Sequence, residues 1–237
     1  MPRRDKSPRF LAIDTATRYA GLAIYDGSAV LVEESWLSSE SHTVELMPKI
    51  ARAAEQQGLA LADLTGLAVS LGPGSFTGLR IGMSVAKGIA LATGAPILGI
   101  PTLDVLGYAH AQPAVRTCAI IEAGRKRLCV ATYQRLPGPD GPAALQRLDD
   151  YRTVSPAELV ASIEAPTLFC GEMDPELREM LAEQLGHLAA LASPARSLRR
   201  AGYLAELAWE RWQRGERDNL ATLTPLYLQP AAPGACI

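Results

Sequence analysis

The chain has 237 residues, 48% of them apolar and 20% charged, so we expect one large or two small domains whose core needs neither disulfides nor metals. The 23 Lys and Arg residues against 25 Asp and Glu residues give a net charge of −2, which excludes a strongly basic field that could hold RNA unaided. Four cysteines without a C-x-x-C pair, and no long uninterrupted apolar stretch, favour a cytoplasmic protein without a signal peptide, a membrane span or a zinc site.

The first hundred residues predict the element order β-β-β-α-β-α-β. Three short apolar runs, the last two joined by Asp26 and Gly27, predict an antiparallel meander. Helical spacing then predicts a helix that either begins near Met47 or kinks at Pro48. The predicted segments are 10–13, 21–25, 29–32, 44–54, 67–71, 78–93 and 96–100.

The second half resembles a shorter, degenerate copy of the first. It predicts a hairpin, a capped helix that begins at Ser155, a strand ended by Gly171 and a second helix capped by Asp174. A long last helix is predicted from Ser193 to about Arg214. The remaining segments are the hairpin strands 117–121 and 128–133, the strand 167–170 and a Pro/Gly-rich surface loop over 136–142.

Four segments carry a specific pattern: 13–17, Ser41-His42 with Pro48, the unbroken run 72–82, and 225–228. Together they resemble the TsaB (formerly YeaZ) family, glycoprotease-like proteins of tRNA threonylcarbamoyladenosine biosynthesis. The resemblance implies an α/β, actin-like (ASKHA, ribonuclease H-like) two-lobe fold with a reduced second lobe. We expect an N-terminal lobe over 8–105, a smaller lobe over 106–195, and a C-terminal helix and tail over 196–230 that packs back between the lobes.

The resemblance also implies a function. The chain would be a non-catalytic partner in the complex that transfers a threonylcarbamoyl group to the tRNA adenosine next to the anticodon. It would form a heterodimer with a TsaD-like catalytic paralogue, with a TsaE-like ATPase as the third member. We expect a homodimer when the chain is alone, tRNA contact only through the complex, no cofactor on the isolated chain, and ATP or ADP as candidates for the complex interface.

The segment Asp14-Thr15-Ala16-Thr17 has two interpretations. In actin-like ATPases a carboxylate at the end of the first strand meets Mg²⁺ through water, and small residues after it let the backbone approach phosphate. Ala16 stands at the glycine position here, which predicts a degenerate phosphate loop. The alternative is a strand-to-strand turn whose Asp side chain bonds its own backbone.

The run 72–78 is the family-signature loop, with Gly72, Gly74, Ser75, Thr77 and Gly78 as its candidate residues. A series of backbone N–H groups before a helix could bind an anion. The P-loop spacing fails, however, since no Lys follows the second glycine at the required distance.

Small residues at Gly78, Gly82 and Ala86 predict a ridge that lets another element approach the following helix closely. Core packing inside the chain is the ordinary use of such a ridge, and the resemblance adds a subunit interface. The side chains expected at that interface are His42, Phe76, Arg80, Met83 and Lys87.

Two enzyme interpretations of the sequence are possible. A small sugar-kinase-like ATP phosphotransferase would need a second-lobe Asp and a diglycine loop, whereas the chain has Glu122-Ala123-Gly124-Arg125 and the single Gly171. A metalloprotease is rejected because the three histidines, His42, His110 and His187, form no H-x-x-x-H or H-E-x-x-H pair. We therefore predict no catalytic residue and no metal site.

Overall fold

The computed structural model describes residues 7–38, 42–137 and 144–228, and for residues 42 and 43 it describes the backbone alone. Contacts divide the chain into two units. The first runs up to Thr102 and includes Arg199–Leu226, and the second contains Leu103–Leu198 together with the described residues from Tyr227. The contacts thus group the last helix with the first unit, whereas the sequence predicts a separate segment over 196–230.

Eleven strands and six α-helices are assigned in the described ranges. The strands are β1 (Phe10–Asp14), β2 (Tyr19–Tyr25), β3 (Val30–Leu37), β4 (Gly66–Gly72), β5 (Ile97–Pro101), β6 (Arg116–Glu122), β7 (Leu128–Leu136), β8 (Ala144–Arg147), β9 (Arg152–Val154), β10 (Thr167–Gly171) and β11 (Ala189–Leu191). The helices are α1 (His42–Gln56), α2 (Phe76–Thr93), α3 (Thr102–His110), α4 (Pro156–Ala161), α5 (Pro175–Leu185) and α6 (Ala201–Gln213).

The first unit is built on a five-stranded sheet in the order β3-β2-β1-β4-β5. Successive side chains of a strand point to opposite faces, so Leu11 and Ile13 of β1 pack into the core beneath α1 and α2. Phe10, on the other face, contacts Trp209 and Trp212 of α6 edge-on, with ring centroids 5.5 and 5.7 Å away. The sheet is therefore covered on both faces by helices of its own unit.

The second unit repeats that topology. Its sheet has the order β11-β10-β6-β7-β8, with β9 pairing β7. Read from the other edge, β8-β7-β6-β10-β11 corresponds strand for strand to β3-β2-β1-β4-β5. Side chains of α4 and α5 pack on one face and those of α3 on the other. The predicted α/β actin-like fold and the shortened second copy are confirmed.

The start of α1 decides between two predicted alternatives, and the start of α6 differs from its prediction. α1 begins at His42 and continues through Pro48, so the alternative of a start near Met47 is wrong. α6 begins at Ala201 rather than Ser193. Ser193 caps only a turn, through the Arg196 N–H at 3.4 Å, and the chain at Arg200 is still extended. α3 was not predicted.

Candidate functional site

The loop after β1 is held by hydrogen bonds within the first unit. The Ala16 N–H donates to Asp14 Oδ1 at 2.9 Å, which is the self-bonded turn that the second interpretation expects. The Thr15 hydroxyl donates to the Gly78 carbonyl at 2.7 Å. Asp14, Thr15, Ala16 and Thr17 are all buried, so the four predicted loop residues do lie together.

Arg199, which lies outside the residues predicted for the site, completes this loop. Its Nε donates to Asp14 Oδ2 at 2.9 Å, and its Nη2 donates to Thr17 Oγ1 at 2.8 Å and to the Tyr19 carbonyl at 3.1 Å. Both side chains of the ion pair are 4% exposed. The partners are 185 positions apart in the sequence, and no local pattern marks Arg199.

The family-signature loop packs directly on this turn. A Cβ added at Gly74 would lie 2.1 Å from the Ala16 carbonyl oxygen, and one at Gly82 would lie 2.2 Å from Thr15 Oγ1. The Ser75 N–H donates to the Ala16 carbonyl at 2.6 Å, and the Ser75 hydroxyl caps α2 by accepting from the Gly78 N–H at 3.2 Å. The signature residues thus serve the close contact of two loops.

Gly72 has a further reason to be glycine. Its φ of +108° lies in the region that L side chains rarely adopt, and a Cβ there would lie 2.8 Å from the Leu226 carbonyl oxygen. Leu226 in turn donates its N–H to the Leu71 carbonyl at 2.7 Å. Thr77, by contrast, is exposed at the start of α2.

The hydrogen bonds that Asp14 already accepts restrict the chemistry that this site could perform. Each oxygen of the Asp14 carboxylate accepts a hydrogen bond from the chain, one from Ala16 and one from Arg199. A metal-bound water at Asp14 would have to displace the guanidinium, and a phosphate would have to separate the turn from Gly74 and Ser75. The first unit therefore presents a closed loop pair at the ends of β1 and β4.

The first unit also carries an apolar helical surface. α1 and α2 contact each other on one face of the sheet, and their outward sides expose four large apolar side chains: Val44 (71%), Met47 (40%), Phe76 (55%) and Leu91 (74%). The Arg80 guanidinium lies 3.7 Å from the centroid of the Phe76 ring. We call this surface the α1–α2 face.

The predicted small-residue ridge does not belong to that face. Gly78, Gly82 and Ala86 are buried, and they point toward the β1 turn and the sheet. A different pair, Ser84 and Gly88, lies on the exposed side of α2. A Cβ added at Gly88 would have nothing within 4 Å, so no contact among the described residues explains a glycine in the middle of this helix.

Of the side chains predicted to be exposed for the interface, Met83 is buried instead, so that prediction is wrong. It is 5% exposed and packs in the core with Ala86 and Ile89, because a residue three or four positions from a buried helical residue shares its face. Phe76 and Arg80 are exposed and Lys87 is half-buried. The side chain of His42 lies outside the described residues.

The second unit has an open turn where the first has a closed one. The β6–β7 turn places Gly124, Arg125 and Lys126 at positive φ. β10 ends at the single Gly171, and Asp174 caps α5 by accepting from the Leu177 N–H at 2.7 Å. No group of metal-ligating side chains occurs in the residues the structure covers. Within the same ranges, no helix has the length and apolar character to cross a bilayer.

Comparison with known proteins gives a family match. A family model described as "TsaD: tRNA N6-adenosine threonylcarbamoyltransferase" matches residues 36–231. The chain is 28% identical over 224 residues to the tRNA threonylcarbamoyladenosine biosynthesis protein TsaB of Bacillus subtilis, covering 93% of this chain and 94% of that protein. It is 36% identical over 129 residues to the protein of the same name from Escherichia coli, where the match spans 54% of this chain and 55% of that protein.

A solved structure gives the same result. YeaZ from Pseudomonas aeruginosa matches with a TM-score of 0.76 at 25% identity, covering 93% of this chain and 100% of that one. The family model covers well over half of the chain, and the named relatives lie within one family. The chain therefore belongs to the TsaB (YeaZ) family of tRNA threonylcarbamoyladenosine biosynthesis proteins.

Proposed function

We propose that this chain is a non-catalytic subunit of a cytoplasmic complex that transfers a threonylcarbamoyl group to the tRNA adenosine next to the anticodon. It docks on a TsaD-like catalytic paralogue through the α1–α2 face, and a TsaE-like ATPase joins the pair. The isolated chain forms a homodimer through the same face. tRNA is contacted only in the complex.

The observation that carries this proposal is the α1–α2 face. Burial of a large apolar side chain releases about 1.5–3 kcal/mol, so Val44, Met47, Phe76 and Leu91 together offer enough to offset much of the cost of association. Ser84 and Gly88 lie on the same outward side of α2 and would let a partner helix approach the backbone closely.

The closed loop pair supports the non-catalytic part of the proposal. A phosphotransferase needs a carboxylate that can reach a metal or a substrate hydroxyl, and Asp14 is instead paired with Arg199. The isolated chain then holds no nucleotide, and ATP or ADP is expected only at the interface of the complex. The pairing of Asp14 with Arg199 also counts against the sugar-kinase-like alternative.

The test is reconstitution with the TsaD-like and TsaE-like proteins and a tRNA substrate. Incorporation of labelled threonine into tRNA should require the paralogue, and the isolated chain should give none. The Ser84→Glu variant places a charge on the docking face and should weaken heterodimer formation by about tenfold or more, measured by sedimentation. Transfer by the isolated chain, or micromolar Mg-ATP binding by it in calorimetry, would refute the proposal.

A matched control is Ala182→Glu, which puts the same side chain on an exposed position of α5 in the second unit. It should leave both the heterodimer and the transfer rate unchanged. If Ser84→Glu binds the paralogue as well as Ala182→Glu does, the docking face lies elsewhere on the chain.

A further inference from the structure

The second unit contains a cavity of about 240 Å³ between the β6–β7 turn and the start of α5. Its position corresponds to the place where, in the first unit, the β1–β2 turn packs on the loop before α2. There, Gly74 and Ser75 fill the space against Ala16. The same topology therefore leaves a hollow in one unit and a closed contact in the other.

The floor of the cavity is apolar. Leu128, Leu177 and Met180 line it, and the first two are buried members of the core between the sheet and α5. Its volume is just below the roughly 300–1000 Å³ of pockets that hold drug-sized ligands, so its size suits a small metabolite-like molecule. Such a floor favours the aliphatic part of a ligand.

Three consecutive basic residues, Arg125, Lys126 and Arg127, stand at the rim. Arg127 is engaged within the chain, since it donates to Glu158 at 3.3 Å and to the Thr153 carbonyl at 2.8 Å. Lys126 lies 3.5 Å from Glu176. Among the residues that the structure describes, Arg125 has no charged or hydrogen-bonded partner and remains available to an anion.

The backbone holds this cation at the rim under strain. Arg125 and Lys126, with φ of +50° and +56°, are the two non-glycine residues at positive φ in the described ranges. The Arg127 N–H donates to the Gly124 carbonyl at 2.9 Å, which closes a tight turn that Asn-Gly would adopt without strain. Strain kept in a turn beside a cavity is a feature of binding sites.

Acidic side chains at the rim restrict which anion the cavity could bind. The rim carries the carboxylates of Glu122, Asp174 and Glu176; Asp174 uses one oxygen to cap α5, and Glu176 lies against Lys126. A phosphate monoester carries nearly two negative charges at neutral pH, so these three carboxylates together would repel it more strongly than a singly charged group. A carboxylate carries one charge, and its two oxygens match the fork of a guanidinium.

We propose that this cavity binds a small monocarboxylate with an aliphatic body, the carboxylate on Arg125 and the body on Leu128, Leu177 and Met180. This site is separate from the α1–α2 face and does not depend on the proposed function.

The test uses the full chain labelled with ¹⁵N and two matched probes, 4-methylpentanoate and 4-methylpentanamide. Titration followed by amide chemical shifts should perturb Gly124, Leu128 and Leu177. The acid should bind about tenfold more tightly than the amide. In Arg125→Gln that preference should fall to about one, whereas the control Arg116→Gln, an exposed cation at the start of β6, should keep it.

A cavity-filling variant and a phosphate probe extend the test. Met180→Trp fills the cavity and should abolish the shifts with both probes. 3-Methylbutyl phosphate should bind less tightly than the acid. Equal affinity of acid and amide for the unaltered protein, shifts confined to residues away from the cavity, or tighter binding of the phosphate would each overturn the proposal. The comparison of acid with amide needs no variant, so it stands even if Arg125→Gln fails to fold.

Discussion

The two units share a strand order and differ at the same two loops. In the first unit the carboxylate that ends β1 is paired with Arg199, and the following turn packs against the loop before α2. In the second unit Glu122 ends β6, the turn after it projects three residues at positive φ, and a cavity separates it from α5. Topology brings the two loops together in both copies, and side chains decide whether the place is closed or open.

Removal of the buried ion pair between Asp14 and Arg199 should have the largest effect on the stability of the first unit. Arg199→Met leaves a buried carboxylate without its partner and should lower the free energy of unfolding by about 3–5 kcal/mol. Urea unfolding followed by tryptophan fluorescence measures this, because Trp36, Trp209 and Trp212 are all in the first unit.

Two controls interpret that result. Arg200→Met removes the neighbouring pair with Glu33, in which the arginine is 55% exposed, and should cost less than about 1 kcal/mol. The double variant Asp14→Asn/Arg199→Met removes both charges and should recover part of the loss. If Arg199→Met is as stable as Arg200→Met, the pair does not hold the loop closed.

The same added methyl group should lower the stability of the chain at Gly74 and raise it at Gly88. Gly74→Ala forces a Cβ toward the Ala16 carbonyl and should destabilise the first unit by about 1–3 kcal/mol. Gly88→Ala meets open space within a helix and should stabilise it by up to about 1 kcal/mol. Thermal unfolding of the two variants measures both effects.

Measurement of partner binding by Gly88→Ala tests why this position is glycine. If Gly88→Ala stabilises the chain yet weakens its heterodimer, the glycine is retained for close approach by the partner. Loss of stability in Gly88→Ala would instead mean that a contact within the chain requires the glycine.

The second unit should gain stability when its strained β6–β7 turn is replaced. Arg125→Asn/Lys126→Gly supplies residues suited to positive φ and should raise the free energy of unfolding by roughly 1 kcal/mol. Thiol labelling in urea can follow the second unit, because it contains Cys118, Cys129 and Cys170.

These three thiols are buried in the folded state. Burial raises the pKa of Cys118 to about 12 and raises those of Cys129 and Cys170 as well, so labelling requires unfolding. Arg125→Ala keeps a side chain at positive φ and should give no gain, which makes it the matched control. A loss of stability in the Asn-Gly variant would show that the Arg-Lys turn is not strained.

The smallest expected effect concerns Glu34 on β3. Burial alone would raise the pKa of Glu34, but hydrogen bonds from Lys49 and Arg52 hold it below its ordinary value of 4.5. A lowered pKa in the folded state means that the stabilisation is present above 4.5 and is lost as pH falls through the folded value. The loss should be below about 1 kcal/mol.

Fluorescence of Trp36, whose ring Lys49 covers at 4.6 Å, can follow unfolding between pH 7 and pH 3. In Glu34→Gln this part of the pH dependence should disappear. An unchanged acid dependence in that variant would assign the effect to other carboxylates, such as Asp26, whose pKa is also lowered.

Local patterns predicted the elements that have local causes. The cap and proline at Ser155-Pro156 begin a helix because the hydroxyl accepts from the Glu158 N–H at 3.2 Å, and the hairpin around Glu122 forms as predicted. The start of α6 was misplaced because Ser193 supports only one turn. A cap signal shows that a turn can begin and does not set how far the helix extends.

Sequence alone determined the family, the doubled α/β pattern and the signature loop, because each depends on residues near one another in the chain. Only the tertiary structure decided that Met83 points into the core, that Arg199 closes the Asp14 loop from 185 positions away, and that the second copy keeps a cavity. Those outcomes depend on which distant side chains meet when sheets and helices pack, and no short stretch of sequence records that contact.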